Sequence, residues 1–137
     1  MSFTGASGAA VSRIIGDQVV EFLRPKRNDV GKQIAAWAAE DRLALLRLLK
    51  ESGAGPEIRL AMLRQHDQES RRFSYGLRCL LDYERATGIV REAFTGGPEI
   101  FDELSLSFDQ VTELAYELWG FADVLDPSSG TNTGKAV

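Results

Sequence analysis

The chain has 137 residues, 44% of them hydrophobic, a net charge of −4 and a single cysteine. That length supports one domain with one real core, and Cys79, alone in its chain, excludes an internal disulfide. Residues 1–10 lack the basic start and the apolar run of a signal peptide, and no stretch has the length of a membrane span, so the expectation is a soluble cytoplasmic protein.

The net charge conceals a gradient. Residues 41–91 carry ten Lys or Arg against seven Asp or Glu, whereas residues 92–137 carry one against nine. An acidic chain argues against nucleic acid, because phosphate neutralisation supplies most nonspecific affinity. A basic middle beside an acidic end keeps both a DNA partner and a basic protein partner in view.

In chain order, Val11, Ile14, Ile15, Val19, Phe22 and Leu23 recur at spacings of three and four, which predicts a helix over Ser7–Leu23 that Pro25 stops. A second helical pattern begins near Val30 or Lys32 and runs through Trp37 to Leu49, as one helix or two joined at Glu40-Asp41. Ser52-Gly53 ends it. Pro56 suits the first position of a third helix reaching Gln65.

A fourth helix follows, capped by Asp67 or Ser70, with Phe73, Leu77, Leu80 and Leu81 as its buried stripe. Arg71, Tyr75, Arg78 and Asp82 share another face, flanked by Arg72 and Ser74. Gly88 ends the helix, and Ile89–Phe94 and Ile100–Leu106 read as strands turning at Thr95-Gly96-Gly97-Pro98. Ser107-Phe108-Asp109-Gln110 matches a capping box, opening a fifth helix with Val111, Leu114, Ala115, Leu118, Ala122 and Leu125 on one side. Residues 126–137 have the composition of a disordered tail.

The run Asp41-Arg42-Leu43-Ala44-Leu45-Leu46-Arg47-Leu48-Leu49, the two helices after Gly53, and Gly88-Ile89-Val90-Arg91 resemble winged helix-turn-helix proteins. The likeness is to metal-responsive and multidrug-responsive bacterial repressors and to small winged-helix proteins of Mu-like prophages, over roughly residues 41–110 and at superfamily level. It implies a mainly α fold with a small β-hairpin: a winged-helix core at 41–110, N-terminal helices at 1–40 acting as a dimerisation arm, a C-terminal amphipathic helix at 107–125, and the tail at 126–137. It also implies that Arg71, Arg72, Ser74, Tyr75 and Arg78 read double-stranded DNA from a homodimer.

Enzyme chemistry finds little material. His66 and Asp67 are adjacent and so do not face each other on a helix, and Asp109, Glu113 and Glu117 share a face without a histidine to complete a metal site. No catalytic residue, metal or cofactor is expected. The acidic residues around the expected wing, Glu92, Glu99, Asp102 and Glu103, favour the alternative to DNA: a non-enzymatic adaptor or inhibitor that docks a basic or DNA-binding partner through its acidic C-terminal part.

Overall fold

The computed structural model describes residues 10–120. It opens with an antiparallel hairpin, β1 (Ala10–Ile15) and β2 (Gln18–Leu23), and continues through α1 (Arg27–Glu51), α2 (Pro56–Glu69), α3 (Phe73–Cys79), α4 (Tyr83–Ala93), the short α5 (Pro98–Phe101) with a 3₁₀ turn behind it, and α6 (Phe108–Leu118). The expected class, mainly α with one small β-hairpin, is the one observed. The hairpin lies at 10–23, however, and not at 89–106.

The first helix is therefore corrected to two strands. Six of the twelve residues from Val11 to Phe22 are Val, Ile or Phe, side chains that lose rotamer freedom in a helix and fit a pleated surface. Gly16-Asp17 supplies the two-residue connection: Gly16 has φ +65°, the conformation a II′ turn needs at its first central position. With Val11 opposite Phe22 and Ile14 opposite Val19, one face turns Val11, Val20 and Phe22 inward. The other face leaves Ile14 and Val19 74% exposed.

The expected wing is also corrected. Ala86, Val90 and Ala93 are buried at spacings of four and three, so residues through Ala93 continue a helix. Asp82 starts that helix by accepting a hydrogen bond from the Arg85 N–H, which splits the predicted fourth helix in two. Gly88 does not terminate α4: it sits inside the helix with open space where a side chain would be. Leu80 is buried as predicted, but Phe73 and Leu81 are exposed.

The returning strand is replaced by α5 and the 3₁₀ turn. Phe94 keeps one isolated bridge to Phe22, and the Thr95 N–H and hydroxyl both donate to the Glu21 carbonyl. The capping box at Ser107 and Gln110 forms as expected. The expected continuation of α6 to Leu125, the start of the first helix at Ser7 and the tail at 126–137 lie outside the described residues.

The described residues divide into two units, one of residues 10–27 together with 80–120, the other of residues 28–79. In the first, a hairpin–helix unit, α4 packs on α6 and the hairpin packs on α4. The rings of Tyr83 and Phe108, which open α4 and α6, lie 5.7 Å apart. At the other end, α4 meets the hairpin through Phe94, and Arg24 donates to the Glu117 carbonyl near the end of α6 at 2.6 Å. The two helices thus run in the same sense, and residues 94–107 carry the chain back between them.

The second unit holds α1, α2 and α3. Alanine and leucine, good helix formers, carry α1 unbroken across the expected boundary at residue 40. It ends in a Schellman motif, with Gly53 at φ +73° and the Ala54 N–H bonded to the Leu49 carbonyl. α2 buries no residue at all.

Phe22 is fully buried in the hairpin–helix unit. Phe22→Ala removes a core ring and should cost about 3–5 kcal/mol in urea unfolding. Because stability follows buried apolar contact, the amides of α2 should exchange with deuterium faster than those of α4 and α6. Equal protection would contradict this division of stability.

Candidate functional site

The residues expected to read DNA all fall at one corner of the three-helix unit. The chain leaves α2 through Ser70-Arg71-Arg72, where the Ser70 N–H donates to the His66 carbonyl and the Arg72 N–H to the Glu69 carbonyl, and enters α3 at Phe73. Arg71, Arg72, Ser74 and Arg78 are exposed there. Tyr75 is not: it is 3% exposed, and its hydroxyl donates to a carboxylate oxygen of Asp41 on α1. A base-reading role needs an exposed phenol, and this one is used to join α3 to α1.

Around Tyr75 a polar network joins helices of a unit whose buried apolar residues include Trp37, Leu49 and Cys79. The His66 Nε2–H donates to the Ala38 carbonyl at 3.0 Å, since a carbonyl can only accept, and its ring meets Tyr75 edge-on at 6.0 Å. Asp67, adjacent in sequence, points elsewhere and takes two hydrogen bonds from Arg42, at 3.0 and 3.4 Å. The Arg78 guanidinium lies over the Tyr75 ring, 5.4 Å from its centroid, and 3.8 Å from Glu69. Two members of the expected reading face, Tyr75 and Arg78, thus touch each other, Tyr75 buried and Arg78 still exposed.

These contacts set the titration of the corner. Burial pushes the Tyr75 hydroxyl above the ordinary tyrosine value of 10.0, and the bond to Asp41 adds to the shift. The Arg42 hydrogen bond holds the Asp67 carboxyl below its ordinary value.

The hairpin–helix unit carries the acidic surface. Between Glu92 and Gly120 there is no Lys or Arg. Asp102 pairs with Arg91, whose guanidinium also lies over the Phe101 ring, 5.3 Å from its centroid. Glu117 pairs with Arg13 from β1 and lies 3.8 Å from Arg24. Glu117, on the same helix as Asp109 and Glu113, is therefore taken up by internal ion pairs. Glu92, Glu99, Glu103, Asp109 and Glu113 remain exposed. Among the described residues no three His, Cys, Asp or Glu side chains converge as a metal site would require.

Two features were missed from sequence. The Asp41–Tyr75 bond joins residues 34 apart and leaves no local signal. The Tyr83–Phe108 ring pair had one, since each aromatic stands directly after a helix-capping residue, Asp82 or Ser107. No helix of the described residues is long and apolar enough to cross a membrane. No protein-family model, curated protein or solved structure matches the chain.

With Tyr75 protonated in the fold and its folded value raised, its contribution to stability is complete below pH 10 and is lost as pH rises through the raised value. Tyr75→Phe should lower stability near neutrality by about 1.5–3 kcal/mol, the range for a hydrogen bond to a charged group. It should also flatten the alkaline decline, read from urea midpoints between neutral and strongly alkaline pH. Tyr116, raised by burial as well, keeps part of that decline in the variant.

Proposed function

We propose that this chain is a non-enzymatic interaction protein that docks a basic partner, a DNA-binding protein being the natural case, through the acidic side of its hairpin–helix unit. The observation that carries this reading is the absence of any Lys or Arg from Glu92 to Gly120, where five exposed carboxylates stand besides Asp102, which is exposed but paired with Arg91. The internal arginines that pair there, Arg91, Arg13 and Arg24, engage Asp102 and Glu117 and leave those five outward. A surface of one sign speeds encounter with its opposite and rejects partners of like charge. Duplex DNA belongs to the rejected class on this side of the molecule.

A second reading, the winged-helix DNA regulator acting as a homodimer, draws support from one observation. α2 and α3 are joined by three residues, the length of a helix-turn-helix connection, and Arg71, Arg72, Ser74 and Arg78 are exposed at that corner. Against it stand the buried Tyr75 and the helical course of residues 89–93.

Retention of the full chain on an immobilised basic DNA-binding protein, beside a gel shift on duplex DNA at two salt concentrations, separates the two. The expectation is salt-sensitive retention that Glu99→Lys/Glu103→Lys weakens roughly tenfold, of order 1.4 kcal/mol. A DNA shift abolished by Arg71→Ala/Arg72→Ala, with no retention on the basic protein, would establish the second reading instead.

A further inference from the structure

We propose that the end of the hairpin–helix unit built on Tyr83 and Phe108 is a docking patch for an arginine side chain of a basic protein partner. This rests on the preceding reading and names the contact through which the partner is held. The two rings open neighbouring helices, 5.7 Å apart with an interplanar angle of 36°. Tyr83 is 49% exposed, Phe108 46%, and Leu81, two residues before Tyr83 in sequence, 57%. Aromatic pairs on a helix pair ordinarily face the core, where each ring buries a large apolar area. Here both rings stand at the solvent end of α4 and α6, while the apolar stripes of the same helices are buried.

The chemistry of the surroundings selects the occupant. Glu84 and Asp109, each following one of the rings in sequence, are exposed. Asp82 and Ser107 cap the two helices with their side chains, each accepting one first-turn backbone N–H, from Arg85 and Gln110. Two exposed aromatic rings thus stand with exposed carboxylates next to them in sequence, Arg85 being half-buried. That combination favours a cation able to lie flat on a ring and donate to a carboxylate at its edge, the geometry of guanidinium more than ammonium.

The chain uses this combination for its own arginines. Arg91 lies over Phe101 and pairs with Asp102, and Arg78 lies over Tyr75 beside Glu69. Tyr83 and Phe108 offer the same contacts to an arginine from outside. Competing occupants are opposed by charge. A second copy joined across a two-fold axis would set this acidic rim against itself, and anionic lipid or nucleic acid would meet like charge.

The test is fluorescence anisotropy of labelled oligo-arginine and oligo-lysine peptides with the full chain, beside sedimentation. Oligo-arginine should bind the more tightly, and Tyr83→Ala/Phe108→Ala should weaken it about five- to thirtyfold, the effect of two exposed cation–π contacts. Tyr83→Phe/Phe108→Tyr should retain it. Tyr83→Ser and Phe108→Ser, made singly with circular dichroism to confirm folding, should each show part of the loss. Unchanged affinity after ring removal, with loss only on Glu99→Lys/Glu103→Lys, would overturn the patch and leave the acidic-surface reading standing. Failure of the folded chain to bind either peptide overturns both. Ring removal that abolishes self-association in sedimentation assigns the patch to a second copy and overturns it too.

Discussion

Phe22 holds the hairpin–helix unit together. Its backbone bridges Phe94, its ring lies 5.5 Å from that of Phe94, and the Phe94 ring in turn meets Phe101 at 6.1 Å. A two-stranded hairpin is at best marginally stable alone in water. This one persists because its inner face, carrying Phe22 and Val20, is covered by helices whose own buried stripes require the same cover. The path of residues 94–101 follows from that aromatic row. Gly96 belongs to it as well, since a side chain there would meet the Phe94 ring at 2.5 Å.

The three-helix unit adds a different kind of cohesion to its buried Trp37, Leu49 and Cys79. Its α2 buries nothing, and the links among its helices are directional: His66 to Ala38, Tyr75 to Asp41, Arg42 to Asp67. Hydrogen bonds and exposed ion pairs contribute less than apolar burial but specify geometry more narrowly. Tyr75, the aromatic residue at the centre of the expected reading face, is the one most needed for this purpose. Its burial removes from the DNA reading the residue that contributed most to it after the arginines.

Some of this was legible beforehand. The Ser107 capping box, the Gly53 stop and the break before Pro56 are local devices, and each operates as its residues imply. The hairpin has a local signal as well: Gly16-Asp17 between β-branched runs is a two-residue turn signal, although the same apolar residues also fit a helical spacing. Residues 89–93 misled in the opposite direction. Ile89-Val90 reads as strand in isolation, whereas the period of Ala86, Val90 and Ala93 after the Asp82 cap reads as helix.

What the sequence determined by itself was the set of local stops and starts, the mainly helical class with one small hairpin, and the acidic character of the C-terminal part. These depend on backbone preference and composition, which act within a few residues. Only the tertiary structure decided which strand pair forms, that Tyr75 and Glu117 turn inward to Asp41 and to Arg13, and that Tyr83 and Phe108 meet at the solvent. The Tyr75, Glu117 and Tyr83–Phe108 contacts each join residues at least 25 positions apart. Their physical reason is packing: a side chain's exposure depends on what the rest of the fold brings against it, and no local pattern carries that information.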